Sequence, residues 1–178
     1  GNVWMTQNIS CNPGMGTVDC VRWAEVDPLT PSVRQAGVFA SLDEWRIFPD
    51  AAVNHCDDLT IGYTKTSPGT FPAVWVTGRL ASDPPGSLQG ETQLRIGDIW
   101  YTPFDQPPHR WGDYTGGTPD PDGVGTWYLG EYSKLINPPP LANWGTFVGE
   151  YTTSCGVDLA VTKTDGQSQA VPGTQVTY

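Results

Sequence analysis

The sequence predicts an all-β fold on three observations. Segments alternating apolar and polar residues in period two recur along the 178 residues, 21 glycines and 17 prolines punctuate them, and 8 tryptophans, a residue that favours strands, are spread among them. Runs of alanine or leucine with helical period are scarce, so almost no helix is expected.

Taken in order, the chain opens on a strand-like segment, Val3-Trp4-Met5-Thr6. Val21-Arg22-Trp23-Ala24-Glu25-Val26 alternates in period two, and Asp27-Pro28-Leu29-Thr30-Pro31 turns the chain into Val33–Phe39, which completes a three-strand meander. A second unit runs from about Trp45 to Ile96, with Ser82–Ser87 as an exposed turn before Thr92–Ile96. A third occupies about Trp100 to Thr153. The last two echo one another: Phe48-Pro49-Asp50-Ala51 … Asp57-Asp58-Leu59-Thr60-Ile61-Gly62-Tyr63 is matched by Arg110-Trp111-Gly112-Asp113-Tyr114 … Asp120-Pro121-Asp122-Gly123 … Thr126–Tyr132. In each copy an aspartate opens one strand, an acidic turn follows, and an alternating strand ends in an aromatic residue. Units of roughly 60–70 residues lie in the range of propeller blades with long loops, so residues 1–155 are expected to form about three propeller-like blades, a partial propeller. Such an arc leaves sheet edges bare, and bare edges pair or are covered.

A net charge of −10 with 9 basic residues argues against nucleic acid and acidic membranes, and is read as keeping an extracellular protein soluble. No run approaches the roughly 20 apolar residues that span a bilayer, and no basic segment followed by an apolar one opens the chain. The four cysteines lack Cys-x-x-Cys spacing, and with only His55 and His109 to assist they make no zinc site. Disulfides are expected instead, and with them an oxidising compartment: secretion, a periplasm or a cell surface. Cys11 and Cys20 flank the turn-rich Asn12-Pro13-Gly14-Met15-Gly16 and are paired on that ground, leaving Cys56 with Cys155, although three connectivities are formally open. Asn8-Ile9-Ser10 matches a glycosylation sequon.

The segment Tyr101–Tyr151, with Arg110-Trp111-Gly112-Asp113-Tyr114 as its sharpest piece and Asn143-Trp144-Gly145-Thr146 after it, resembles the last blades of secreted bacterial proteins with a sialidase-like or BNR-like β-propeller. That resemblance implies six or seven blades, of which this chain supplies about three. Beyond Cys155 the texture changes. Val157-Asp158-Leu159-Ala160-Val161-Thr162-Lys163 and Val171-Pro172-Gly173-Thr174-Gln175-Val176-Thr177-Tyr178 resemble the opening of a bacterial surface repeat with an immunoglobulin-like sandwich, the DUF11 type. Residues 156–178 hold two strands at most of the seven that a sandwich needs, so this tail is expected to add strands to a neighbour through Asp158, Leu159, Val161, Val171, Val176 and Tyr178.

Candidate chemistry is thin. Sialidase-class propellers use an arginine cluster, an acid and a tyrosine nucleophile activated by a glutamate. Trp45-Arg46-Ile47-Phe48-Pro49 and the neighbours Glu131 and Tyr132 are the nearest matches, but the arginine lies in the wrong blade for that family, and Asp122-Gly123-Val124-Gly125-Thr126-Trp127 lacks the serine that leads its Asp-box turn. Arg46 is therefore expected to pair with Asp50 or a backbone carbonyl, and Tyr63 and Tyr132 to pack between blades. Asp50 and Asp113 are read as structural carboxylates that cap a turn or reach the next blade, and Arg110 as pairing with Asp113 or stacking on Trp111. The acidic turns at Asn54, Asp57 and Asp58 and at Asp120 and Asp122 carry oxygen ligands of the kind calcium takes, but neither has EF-hand spacing and Asx turns explain both, so no cofactor or metal is expected. No Ser/His/Asp triad is assignable, and no catalytic residue is named.

The expected function is a non-catalytic extracellular or cell-surface module that engages other copies of the chain, or adjoining domains of a larger precursor, through its open sheet edges and its tail. The competing readings are a glycoside hydrolase, or a carbohydrate-binding propeller using exposed tryptophans, whose site is completed outside this chain.

Overall fold

The computed structural model describes residues 1–101, 109–137, 142–153 and Cys155. Among these the chain is all-β, with ten strands and no helix, in three antiparallel sheets of which none closes on itself. The first sheet is a meander of β1 (Val3–Cys11), β2 (Val18–Asp27) and β3 (Ser32–Phe39). The middle sheet follows as β4 (Trp45–Val53), β5 (Leu59–Ser67), β6 (Thr70–Arg79) and the short β7 (Thr92–Arg95). The third is built from β8 (Gly116–Pro119), β9 (Gly125–Leu135) and β10 (Ala142–Thr152), with β9 in the centre.

Sequence dictates how these sheets stack. Every residue from Leu59 to Lys65 in β5 is buried, so this strand is covered on both faces. Side chains alternate across a strand, and the two faces of β5 differ accordingly. Leu59, Ile61 and Tyr63 form one core with Val21 and Trp23 of the first sheet. The opposite face presents Thr60, Gly62 and Thr64 to the third sheet: the Thr60 and Thr126 hydroxyls lie 2.8 Å apart, and the Thr64 hydroxyl donates to the Glu131 carbonyl at 3.0 Å. Buried hydroxyls are tolerated here because each has a partner. Val74 and Val76 of β6 complete this second core with Tyr128 and Tyr132. Tyr63 and Tyr132 thus pack between sheets. The middle sheet is sandwiched, and the outer faces of the first and third sheets lie at opposite ends of the stack.

The opening strands β1, β4 and β8 come together along one side. Asn8 in β1 donates its amide to the Arg46 carbonyl and accepts from the Phe48 amide, both at 2.7 Å, and Thr6 donates to the Pro49 carbonyl. The sequon asparagine is therefore a tie between two sheets. Pro49, which has no N–H to give a ladder, lies within the break in β4–β5 register between Ile47 and Asp50, and Phe48 before it takes a positive φ of 54°. On the far side, Asp50 accepts from the Gly117 amide of β8 at 2.7 Å.

Each sheet begins with the same hairpin head. The residue directly after the opening strand is Asn12, Asn54 or Asp120, and its side-chain oxygen accepts the amide two positions on, from Gly14, Cys56 or Asp122, at 2.9, 3.0 and 2.8 Å. These are Asx turns, in which a short polar side chain mimics a backbone turn. The second and third heads also dock on one another: the His55 backbone amide donates to the Gly123 carbonyl at 2.9 Å and the Asn54 side-chain amide to the Val124 carbonyl at 2.9 Å.

Two disulfides are present, Cys11–Cys20 across the first hairpin and Cys56–Cys155 from the second hairpin head to the chain beyond β10. They indicate an oxidising environment. No helix of the described residues is long and apolar enough to cross a membrane.

Aligning the hairpin heads corrects one sequence-based equivalence. Asp50 lies four residues before Asn54, and the residue four before Asp120 is Gly116, not Asp113. Asp113 sits in the turn that precedes β8 and opens no strand.

Candidate functional site

A cleft of about 470 Å³ is lined by Arg110, Trp111, Gly112, Asp113, Tyr114, Glu131 and Trp144. It gathers the most distinctive motif of the sequence against the outer face of the third sheet. Glu131 of β9 and Trp144 of β10 share that face, because Glu131 pairs with Thr146 and Ser133 with Trp144. The segment Arg110–Tyr114 forms the facing wall.

That wall is held in place by its own chemistry. The Trp111 ring meets Tyr101 edge-on at 4.7 Å, and its indole N–H donates to the Thr64 hydroxyl at 3.3 Å. Gly112 has a φ of +64°, and a Cβ there would run into the Phe48 ring, so the position requires glycine on both counts. Its amide donates to Glu131 at 2.8 Å, fixing one carboxylate oxygen. Arg110 and Asp113 form an exposed ion pair. The cleft is rimmed by aromatic surface: Tyr114 is 82% exposed and Trp144 50%, whereas Glu131 at its base is 9% exposed.

Of the residues singled out in the sequence, Arg110, Trp111 and Asp113 meet in this cleft, while Asp50 lies at the junction of the middle and third sheets. Arg46 departs from expectation. It is 1% exposed and pairs with Glu91, and with Glu44 at 2.6 Å, rather than with Asp50. Lys65 joins the same two carboxylates and lies 3.7 Å over the Trp75 ring. Burial works against the charge on Arg46, but Glu91, with Tyr63 and Glu44, outweighs it and raises its affinity for the proton. Burial likewise pushes the Tyr63 hydroxyl far up, reinforced by Glu91.

The arrangement a sialidase-class mechanism needs is not assembled by these side chains. Adjacent positions on β9 send Glu131 to the outer face and Tyr132 to the inner core, where the Arg95 guanidinium covers its ring at 4.3 Å. Arg46 is enclosed in its ion-pair cluster. His55 Nε2 lies 3.6 Å from Cys155 Sγ, and His55, Cys56 and Cys155 cluster closely, but both sulfurs are committed to a disulfide, which leaves them no thiolate for a metal. In the acidic turns several side-chain oxygens are already engaged: Asn54 accepts from the Cys56 and Asp58 amides, and Asp58 from the Ala81 amide and the Thr153 hydroxyl. Asp122 accepts from Val124 and Gly125, and Asp120 from Asp122 and the Trp127 indole; those two donors, in that order, hold the Asp120 carboxyl below its usual range. The tail residues Asp158, Leu159, Val161, Val171, Val176 and Tyr178 lie outside the described residues.

Two features escaped the sequence reading. The partners of Arg46 include Glu91, 45 residues away and outside any motif, so no local signal marks it. The exposure of Trp144 follows from which face of the third sheet is covered, which period-two alternation leaves open, and that of Tyr114 from its place in the turn before β8. Comparison with protein-family models, curated proteins and solved structures finds no match.

Proposed function

We propose that the chain is a non-catalytic, secreted or cell-surface structural module: an arc of three propeller-like blades that docks onto further β-sheet through the outer face of its first sheet and its open strand edges. One observation carries this reading. Val3, Met5, Val33 and Val38 are exposed on the same face of the first sheet as Ala24 and Val26, and Met5, Ala24, Val26 and Val33, with Gln7 and Arg22 beside them, line a groove of about 170 Å³ there. The other face of that sheet is covered by the middle sheet, which is itself covered on both. A further sheet laid on the outer face would repeat the packing already used twice in the chain. Full burial of each such aliphatic side chain contributes roughly 1.5–3 kcal/mol.

The convergence of β1, β4 and β8 along one side supports the blade reading, since opening strands of successive blades gather in this way about a propeller axis. Among the described residues β3 and β10 pair with no further strand, so their edges offer backbone groups for strand addition, and Asp158–Tyr178 supplies strand-forming sequence for the same purpose. Sedimentation velocity over a concentration series tests the proposal. The chain is expected to self-associate through the apolar face in the absence of its natural neighbour, and Met5→Glu is expected to return it to a monomer. A wild type that stays monomeric up to high concentration, with solubility unchanged by Met5→Glu, would refute it.

A further inference from the structure

We propose that the cleft between Trp144 and the Arg110–Tyr114 wall binds the ring of a neutral carbohydrate. This goes beyond the docking role, because the cleft lies on the outer face of the third sheet, at the opposite end of the stack from the apolar face of the first. Its chemistry combines two requirements that a sugar makes together. The C–H face of a pyranose is apolar and stacks on an aromatic ring, and Trp144 and Tyr114 present such rings at 50% and 82% exposure to a concave site of about 470 Å³. The hydroxyls of the same sugar need directed acceptors and donors. Glu131, 9% exposed, spends one oxygen on the Gly112 amide at 2.8 Å, and an ionised carboxylate keeps further acceptor sites for hydroxyl protons. Arg110 supplies donors beyond the one it gives to Asp113.

Charge selects among sugars. The single guanidinium is neutralised by Asp113, and Glu131 leaves the cleft with a net negative charge on a chain whose overall charge is −10. A sialic or uronic acid would bring a carboxylate to a site with no free cation among its lining residues, whereas a neutral hexose polymer meets no such penalty.

The test uses the full chain, with cellohexaose, laminarihexaose, mannohexaose and chitohexaose as neutral probes and sialyllactose as the acidic one, read by tryptophan fluorescence and isothermal titration calorimetry. At least one neutral hexamer is expected to give a saturable change, with sialyllactose silent. Trp144→Ala is expected to weaken that binding about tenfold, the scale of one lost ring stack. Its ring is half exposed and outside both cores, so the thermal unfolding midpoint is expected to stay that of the wild type; a changed midpoint passes the comparison to Tyr114→Ala, for which the same loss is expected. Silence with all four neutral hexamers overturns the proposal. So does sialyllactose binding as tightly as they do, or binding undiminished in both variants.

Discussion

The ring of Tyr128 occupies the space that a Cβ on Gly62 would need. This contact joins the centre of β9 to the centre of β5 and sets the distance between the middle and third sheets. A methyl group there meets six-membered-ring carbon rather than the end of a flexible chain, and overpacking of this kind typically costs about 1–3 kcal/mol. Gly62→Ala is expected to lower the unfolding free energy by that order, read as a lower urea midpoint, whereas Gly69→Ala, which has open space around it, is expected to leave the midpoint nearly unchanged. Equal effects of the two substitutions would show that the sheets do not approach as described.

The Cys56–Cys155 disulfide closes a loop across a sequence separation of 99, against 9 for Cys11–Cys20. Restricting the unfolded chain favours the longer loop, at roughly 4–5 kcal/mol against 2–3. Replacing both cysteines of the long bridge by serine is therefore expected to lower stability more than the same change at the short one. Denaturant titration of the two double variants reads the difference directly.

Arg46 sits where a partner removed is worse than a pair never made. Arg46→Ala strips the Glu91 carboxylate, 13% exposed, of one of its two cations and is expected to cost up to about 3 kcal/mol. Arg46→Ala combined with Glu91→Gln is expected to recover part of that loss, as a thermal-melt comparison of the single and double variants would show.

Much of this architecture is legible in the sequence because it is local. Period-two alternation marks the strands, and Asn12, Asn54 and Asp120 mark the hairpin heads, since an Asx turn needs only a short polar side chain and two more residues. The equivalence of Asp50 with Asp113 failed because like residues were matched without strand register: the true counterpart of Asp50 is Gly116, whose neighbour Gly117 gives its amide to Asp50. Arg46 could not be paired from the sequence, since its partner Glu91 comes from the far end of the middle sheet. The aromatic cleft was visible only as a motif. That Glu131 and Tyr132 face opposite ways follows from alternation alone, but which of them faces solvent depends on how the sheets stack.

Acid is expected to destabilise the chain in a defined window. The Arg34 guanidinium first, then the Leu29 amide, hold the Asp27 carboxyl at about 2 from an ordinary 3.8. For Glu44, burial alone would raise the carboxyl, but Lys65 and Arg46 outweigh it and keep it below 4.5. A carboxylate whose affinity for the proton is lowered by folding contributes stability that is complete above its unfolded value and lost as pH falls through its folded one. Urea midpoints are thus expected to hold steady above pH 4.5 and fall from there towards pH 2, with Asp27→Asn flattening the lower part of the decline. A midpoint unchanged down to pH 2 would contradict both assignments.

Hydroxyl-radical footprinting across a dilution series tests most directly whether three sheets are stacked with an open, sticky outer face. Met15, exposed in the first hairpin, sets the rate for a free side chain, and Trp23 sets that for the core. Met5 is expected to be oxidised like Met15 in dilute solution and to become protected as concentration rises, with Trp23 protected throughout. Met5 oxidised at an unchanging rate at every concentration, or Trp23 labelled as readily as Met15, would contradict it.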